Sequence, residues 1–240
     1  MKTYKLLGVK IQTCPNHVAK DMLQSFLSSD SQHQIMTVNP EFIVASRENK
    51  EFKKIINESS LATIDGAGII KAFQFLGSQV SLDDRLTGVR LTEILINIAI
   101  NKNYKILFCL YSKGLTKAGN FFMTIKQKYP HLDFQVADEK SALEKAKIFE
   151  PHIILAGYGA PRQDMWIYEN LPKLPSIRVA AGVGGTFDFM SGTIKRAPKI
   201  FRSLGLEWLW RLLRQPWRIQ RINRAVIIFP ILVLLDRFKK

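Results

Sequence analysis

Apolar and polar positions along this chain follow two rhythms. Short, nearly continuous apolar runs at Lys105 to Leu110, His152 to Ala156 and Arg178 to Val183 read as strands buried on both faces. Between them lie longer segments whose apolar residues recur every three or four positions. Leu115 to Tyr129, Ser141 to Phe149 and Arg162 to Glu169 therefore read as helices, with Asp133 to Val136 a further strand. The first half obeys the same rule less regularly. A short strand is expected over 3–12, a helix from Pro15 to Leu27, and a strand at Ile35-Met-Thr-Val-Asn39 that stops at Pro40. Helices at Glu41 to Ser46 and Lys50 to Asn57 follow. A strand then runs into Asp65, a helix runs on to about Leu76, and a polar loop from Gly77 to Gly88 leads to a helix from Leu91 to Ile100. Strands alternating with helices at this spacing predict an α/β fold: a Rossmann-like parallel sheet with helices on both faces and right-handed crossovers.

Composition changes that picture only at the end of the chain. Of 240 residues nearly half are apolar, enough for a full core, and the net charge is +15. From Lys195 onward twelve basic residues stand against Glu207 and Asp236, so the tail carries +10 and the rest only +5. The expected division is a 1–194 catalytic domain and a 195–240 basic appendage. The opening Met1-Lys-Thr-Tyr-Lys-Leu-Leu-Gly has no long apolar core, which argues against a signal peptide. The longest apolar run, Ala225 to Leu235, is 11 residues and holds Pro230, whereas a spanning helix needs about 20. Cys14 and Cys109 have neither zinc-ligand spacing nor a disulfide framework, and a reducing cytosol fits.

Candidate chemistry sits where strands end, as it does in open parallel sheets. In Leu61-Ala-Thr-Ile-Asp65-Gly-Ala-Gly an apolar run delivers a carboxylate, and Gly66 and Gly68 would let the backbone turn tightly and a ligand approach. The competing reading makes Asp65 a cap for the next helix. Thr37 and Asn39 straddle another strand end, with Asn39 equally suited to capping the helix at Pro40. Two glycine loops follow later strands: Gly157-Tyr-Gly159-Ala-Pro161-Arg-Gln163, and Gly182-Val-Gly184-Gly185-Thr186-Phe-Asp188. Neither is a P-loop or a dinucleotide fingerprint, but their amides could hold a nucleotide diphosphate; plain tight turns are the alternative. Asp83-Asp84 is the nearest pair to a metal motif, and solvated charge is the competing reading.

In the tail, Arg211, Arg214, Arg218, Arg221 and Arg224 recur at intervals of three and four, along one side of a helix. Ile219, Ile222 and Val226 fall on the other side, and Trp208, Trp210 and Trp217 are rings suited to a membrane interface. A nucleic-acid helix, a membrane-surface helix and a helix closing over an anionic substrate compete. The aromatics and the apolar run at 225–235 favour the membrane over nucleic acid.

One set of motifs spans nearly the whole chain in order. It comprises Thr37-x-Asn39-Pro40-Glu41, Asp65-Gly66-x-Gly68, Arg85-x-x-Gly88, Gly159-x-Pro161-x-Gln163 and Gly182-Val-Gly184-Gly185-x-Phe187-Asp188. Lys195-Arg196-Ala197-Pro198, Gly205-Leu206-Glu207-Trp208-x-x-Arg211-Leu212 and Pro216-x-Arg218-x-x-Arg221 complete it. Together they resemble the WecG/TagA/CpsF glycosyltransferases, which add a sugar to a polyprenyl-diphosphate-linked sugar in bacterial surface-polymer synthesis. The resemblance implies an inverting, metal-independent transfer with no cofactor, in which Asp65 is the base. Thr37, Asn39, Arg85 and Gln163 would line the pocket with Gly157, Gly159, Gly184, Gly185 and Asp188. Arg211, Arg218 and Arg221 would come to the active site from a membrane-docking appendage, sharing one helical face. Arg214 and Arg224 have no clear match and are left as membrane-facing or solvated charges. The implied partners are a UDP-sugar donor, an undecaprenyl-diphosphate-linked acceptor of N-acetylglucosamine type and an anionic membrane surface, with no nucleic acid. The implied location is the cytoplasmic face of the bacterial plasma membrane, and a homo-oligomer is left open. N-acetylmannosamine is the first choice of sugar, with glucose or a uronic acid as alternatives. The rival class is a nucleotide- or nucleic-acid-binding protein with a basic tail. Two departures stand out: Gln163-Asp164 where many relatives have Gln-Glu, and a compressed segment after Val136.

Overall fold

The computed structural model describes residues 1–195, 197–198, 200–201 and 207–238, with the backbone alone at Glu207, Arg211 and Trp217. The chain begins with β1 (Thr3–Leu6) and β2 (Val9–Gln12), then α1 (Asn16–Ser28), β3 (His33–Val38), α2 (Pro40–Glu48) and α3 (Lys50–Glu58). β4 (Leu61–Ile64), α4 (Ala67–Phe75), α5 (Gly88–Lys102), β5 (Ile106–Leu110), α6 (Ala118–Lys128) and β6 (Phe134–Asp138) follow. α7 (Ala142–Phe149), β7 (Ile153–Gly157), α8 (Arg162–Asn170), β8 (Val179–Gly182) and α9 (Thr186–Met190) complete the α/β pattern. The strands form one eight-stranded sheet in the order β1-β2-β4-β3-β8-β7-β5-β6. All neighbours are parallel except β1 and β2.

Residues 3–12, expected as one strand, are a hairpin. Leu7 (φ 52°) and Gly8 (φ 82°) both adopt left-handed backbone, the geometry of the two-residue turn that matches strand twist. A leucine at such a position is unusual, so the turn carries no strong sequence signal.

The strands are apolar because both faces are covered. Every residue of β5 is buried, and Phe108 meets Phe121, Phe134 and Phe187 edge-on with ring centroids 5.3–5.8 Å apart. One core layer lies under α1, α5 and α6; the opposite face is covered by α2, α3 and α4 around Phe42, Phe52 and Phe73. The chain winds outward from β3 to β4 in one direction and from β5 to β6 in the other. Beyond the carboxyl ends of β3 and β8, the neighbours where those windings meet, lies the crevice in which such sheets hold ligands.

The tail is not one helix. α10 (Glu207–Arg214) ends at Gln215, whose φ of −141° leaves helical space because Pro216 follows. A 3₁₀ turn (Pro216–Arg218) leads into α11 (Ile219–Asn223), a π-helical turn (Arg224–Ile228) and α12 (Phe229–Arg237). The expectation of a single face shared by Arg211, Arg218 and Arg221 is therefore corrected: the break separates the first from the other two. The apolar side also divides differently. Ile222, Phe229 and Val233 are buried, the last two in the α2–α4 core layer, whereas Ile219 is 55% exposed. No helix among the described residues is long and apolar enough to cross a membrane.

Candidate active site

β4 places Asp65 at the carboxyl edge of the sheet, half-buried, with its N–H donating to the Val38 carbonyl of β3 (2.9 Å). Gly66, not Asp65, occupies the N-cap position of α4. Gly66 has an ordinary φ of −95°, and it is close packing that demands glycine here. A Cβ at Gly66 or Gly68 would come within 2.8 Å of the Pro40 ring. The two glycines thus let α4 start directly against α2, which brings Asp65 beside Asn39. Asn39 does cap α2, its Oδ1 accepting from the Glu41 (2.9 Å) and Phe42 (3.2 Å) N–H groups.

Around Asp65 opens a groove of about 690 Å³. Asn39, Glu41, Lys71, Trp208 and Arg218 contribute polar groups to its lining. Phe75, Val226, Phe229, Ile231 and Leu234 give it apolar walls, most of them from the tail. The half-buried Arg218 donates to Gln215 Oε1 at 2.9 Å. Arg221 turns instead to α2, its Nε 2.6 Å from Glu41 Oε2. Arg224, expected to be membrane-facing or solvated, reaches Glu48 at 3.2 Å; the carboxylates spaced along α2 account for both pairs. Arg214 lies over the Trp210 ring at 5.1 Å. The side chains of Arg211 and Trp217 lie outside the described residues.

The remaining expected residues gather at the ends of β3, β7 and β8. Thr37 is buried and its hydroxyl donates to the Gly182 carbonyl (3.0 Å), tying β3 to β8 at the switch point. Gln163, buried at the start of α8, is the hub of both glycine loops. Its Oε1 accepts from Gly159 N–H (3.0 Å) and from Gly184 N–H (3.1 Å). Gly159 (φ 83°) and Gly184 (φ 54°) hold left-handed backbone that favours glycine. Gly157 is required by packing, since a Cβ there would fall 2.6 Å from the Phe187 ring. Gly185 adjoins Asp188, whose Oδ1 accepts from the Thr116 hydroxyl (2.7 Å) and so fixes the turn that leads toward the tail.

Arg85 is half-buried, and its Nε is enclosed with no hydrogen-bond partner among the described residues. The loop that carries it is pressed onto the β8–α9 turn, where a Cβ on Gly88 would meet Thr186 Oγ1 at 3.0 Å. Just before it, Asp84 accepts from the Ser81 N–H (2.8 Å) and hydroxyl (3.2 Å) in a capping box. Among the described residues no three His, Cys, Asp or Glu side chains converge as a metal site would need. Burial pushes the Cys14 thiol up to about 11 and Cys109 up to about 12, which marks both as inert core residues.

The expected residues therefore fall into two adjoining parts. Asp65, Asn39 and Arg218 line the tail groove; Thr37, Gln163, the glycines and Asp188 frame the β7–β8 loops. Lys71 was not anticipated. It sits four residues after Ala67 on α4, which puts it on the same helical face as a groove-lining residue, and that spacing was its available signal.

This layout can be set beside known proteins. Residues 4–240 match the family model described as Glycosyl transferase WecG/TagA/CpsF family. Among similar proteins are the N-acetylglucosaminyldiphosphoundecaprenol N-acetyl-beta-D-mannosaminyltransferases of Staphylococcus aureus strains MW2, NCTC 8325 and COL. Each is 28% identical over 230 residues, covering 92% of this chain and 89% of the relative. A match over almost the whole length sets aside the rival of a binding protein without transferase activity. The chain belongs to the WecG/TagA/CpsF family of glycosyltransferases.

Proposed function

We propose that this enzyme transfers N-acetylmannosamine from a UDP-sugar to N-acetylglucosamine carried on undecaprenyl diphosphate, with inversion and without a metal ion. The observation that carries the reading is the groove itself, whose lining combines the Asp65 carboxylate and the Arg218 guanidinium with apolar side chains from α4 and the tail. An amphiphilic acceptor has the same mixed character, a sugar diphosphate joined to a hydrocarbon chain. The names of the Staphylococcus aureus relatives support the acceptor and the sugar.

In this mechanism Asp65 takes the proton from the acceptor hydroxyl as that oxygen attacks the anomeric carbon. The departing nucleoside diphosphate gains charge, which Arg218, Arg211 and the amides of the glycine loops offset. Arginine suits this task because its planar fork pairs two N–H groups with phosphate oxygens. Residues 1–194 act as the catalytic domain and residues 195–240 as the docking appendage.

Docking on the inner face of the plasma membrane is supported by what the tail exposes. Leu213, Ile219, Ile227, Ile231, Leu235 and Phe238 are all exposed, on a segment that also carries the excess of positive charge. Each basic residue near an anionic surface contributes about 1 kcal/mol, so such a tail can dock without a spanning helix.

The test is nucleoside diphosphate release from UDP-N-acetylmannosamine with a synthetic lipid-linked acceptor. Asp65→Asn should lower turnover by about 10²-fold or more while the circular dichroism spectrum is unchanged, a general base being worth about that much. Turnover near the native rate in that variant would remove Asp65 from the mechanism.

A further inference from the structure

Asp164 is fully buried, at 0% exposure, and neither carboxyl oxygen has a hydrogen-bond partner among the described residues. A buried carboxyl without partners is costly and calls for an explanation. Its surroundings supply one. A Cβ built on Gly182 would lie 2.1 Å from Asp164 Oδ1 and 2.4 Å from Gln163 Nε2, so both polar ends converge over the one residue that leaves room for them. Gly182 is also the residue whose carbonyl receives Thr37, and Gln163 Oε1 receives both loop amides. From below, the Gln34 side chain donates to the Asp164 backbone carbonyl at 2.9 Å and holds the start of α8 against β3.

We propose that Asp164 is a positioning residue for the glycine loops: its side chain, wedged beside Gln163 over Gly182, keeps the Gln163 amide where its oxygen receives Gly159 and Gly184. Its own state then matters. Burial pushes the carboxyl up to about 8, outweighing the Gln163 amide and the backbone N–H, which pull the other way. The Gln163 amide acts on the charge, but neither carboxyl oxygen has a hydrogen-bond partner among the described residues, and burial prevails.

Among the described residues, the charged groups on the neighbouring elements are engaged elsewhere or exposed. On α3, Lys53 reaches the Leu7 carbonyl, Glu58 meets Tyr168, and Lys50, Glu51 and Lys54 are exposed. His33 on β3 lies between Ser29 and Ser60, and Lys173 after α8 binds Asn170. On α8 itself Arg162 donates to the Tyr158 carbonyl and Glu169 is exposed. Protonated, Asp164 leaves the Gln163 oxygen to the two loop amides. Ionised and unpaired, it draws the Gln163 N–H₂ group toward itself and loosens that hold.

The role bears on catalysis only through the transferase reading above, but its structural half can be measured without any substrate. The experiment follows the amide resonances of Gly159 and Gly184 and the Cγ resonance of Asp164 by NMR from pH 6 to 9.5. The expected result is one shared midpoint near 8 in the native protein, with pH-independent glycine resonances in Asp164→Asn. Glycine amides that ignore this range, or that titrate equally in Asp164→Asn, overturn the proposal; the native titration decides even if the variant fails to fold. In transfer assays the native enzyme should lose at least half its rate between pH 7 and 9, and Asp164→Asn should keep it. A fall of equal size in the variant would remove Asp164 from the pH profile and overturn its role. Absence of transfer at every pH, with the amides titrating as expected, leaves the positioning role standing and removes the donor and acceptor proposed above.

Discussion

The two halves of the candidate site are built by different means. The glycine loops belong to the sheet: Gln163, Thr37 and Gly182 are buried, and hydrogen bonds of 3.0–3.1 Å link strand ends whose other residues form the core. The groove beside Asp65 is completed by helices laid against the surface, held by the buried Phe229 and Val233 and by the pairs Arg221–Glu41 and Arg224–Glu48. A half-site that shares its residues with the core cannot be removed without disturbing the fold. A half-site applied from outside can be, so transfer and folding should be separable on the tail side and inseparable on the loop side.

The largest effect should come from ending the chain after residue 194. Transfer and vesicle binding should both be lost, while the remaining body keeps a cooperative melt; collapse of that melt would merge the two halves into one unit. Phe229→Ala comes next. Truncating a buried phenylalanine costs about 3 kcal/mol, and here the cost should fall on tail docking. Limited proteolysis should cut the tail faster while the melting temperature of the body barely moves. On the loop side, Gly157→Ala drives a methyl group into the Phe187 ring, and overpacking of that kind costs about 1–3 kcal/mol. It should lower the melting temperature and turnover together, where Phe229→Ala divides them. The smallest change is expected from Glu41→Gln. Its pair with Arg221 is 44% exposed on the arginine side, and such pairs are worth about 1 kcal/mol or less. Stability should shift only slightly, and less still in high salt.

Much of this comparison was legible in the sequence on the loop side and little on the tail side. Strands buried on both faces are continuous apolar runs, so the residues after them mark both glycine loops, with plain tight turns as the alternative; Gln163 takes its place in the pocket from the family resemblance. On the tail side the same rule marks Asp65, with a helix cap as the alternative. The hairpin at Leu7-Gly8 carries no such mark, because a leucine in left-handed backbone breaks the usual turn chemistry. In the tail, arginine spacing suggested one helix although Pro216 was in view; the steric rule at the preceding residue overrides a periodic pattern. The pairing of Arg221 and Arg224 with α2 depends on how the tail docks, which no local pattern encodes. Lys71 and the buried Asp164 belong to the same class. Each lies on a helix of ordinary polarity, and only packing between distant segments turns one toward the groove and seals the other in.

The central claim is that the tail completes the active site as well as docking the enzyme. Arg218 is the residue to ask, since it lines the groove with Asp65. The measurement is turnover of Arg218→Ala on a short-chain, water-soluble acceptor, where membrane docking contributes nothing. Loss of one fixed donor to a departing anion costs about 10²-fold, so the variant should be slower by roughly that factor with native donor binding. A native rate on the soluble acceptor would leave the tail as an anchor and contradict the account.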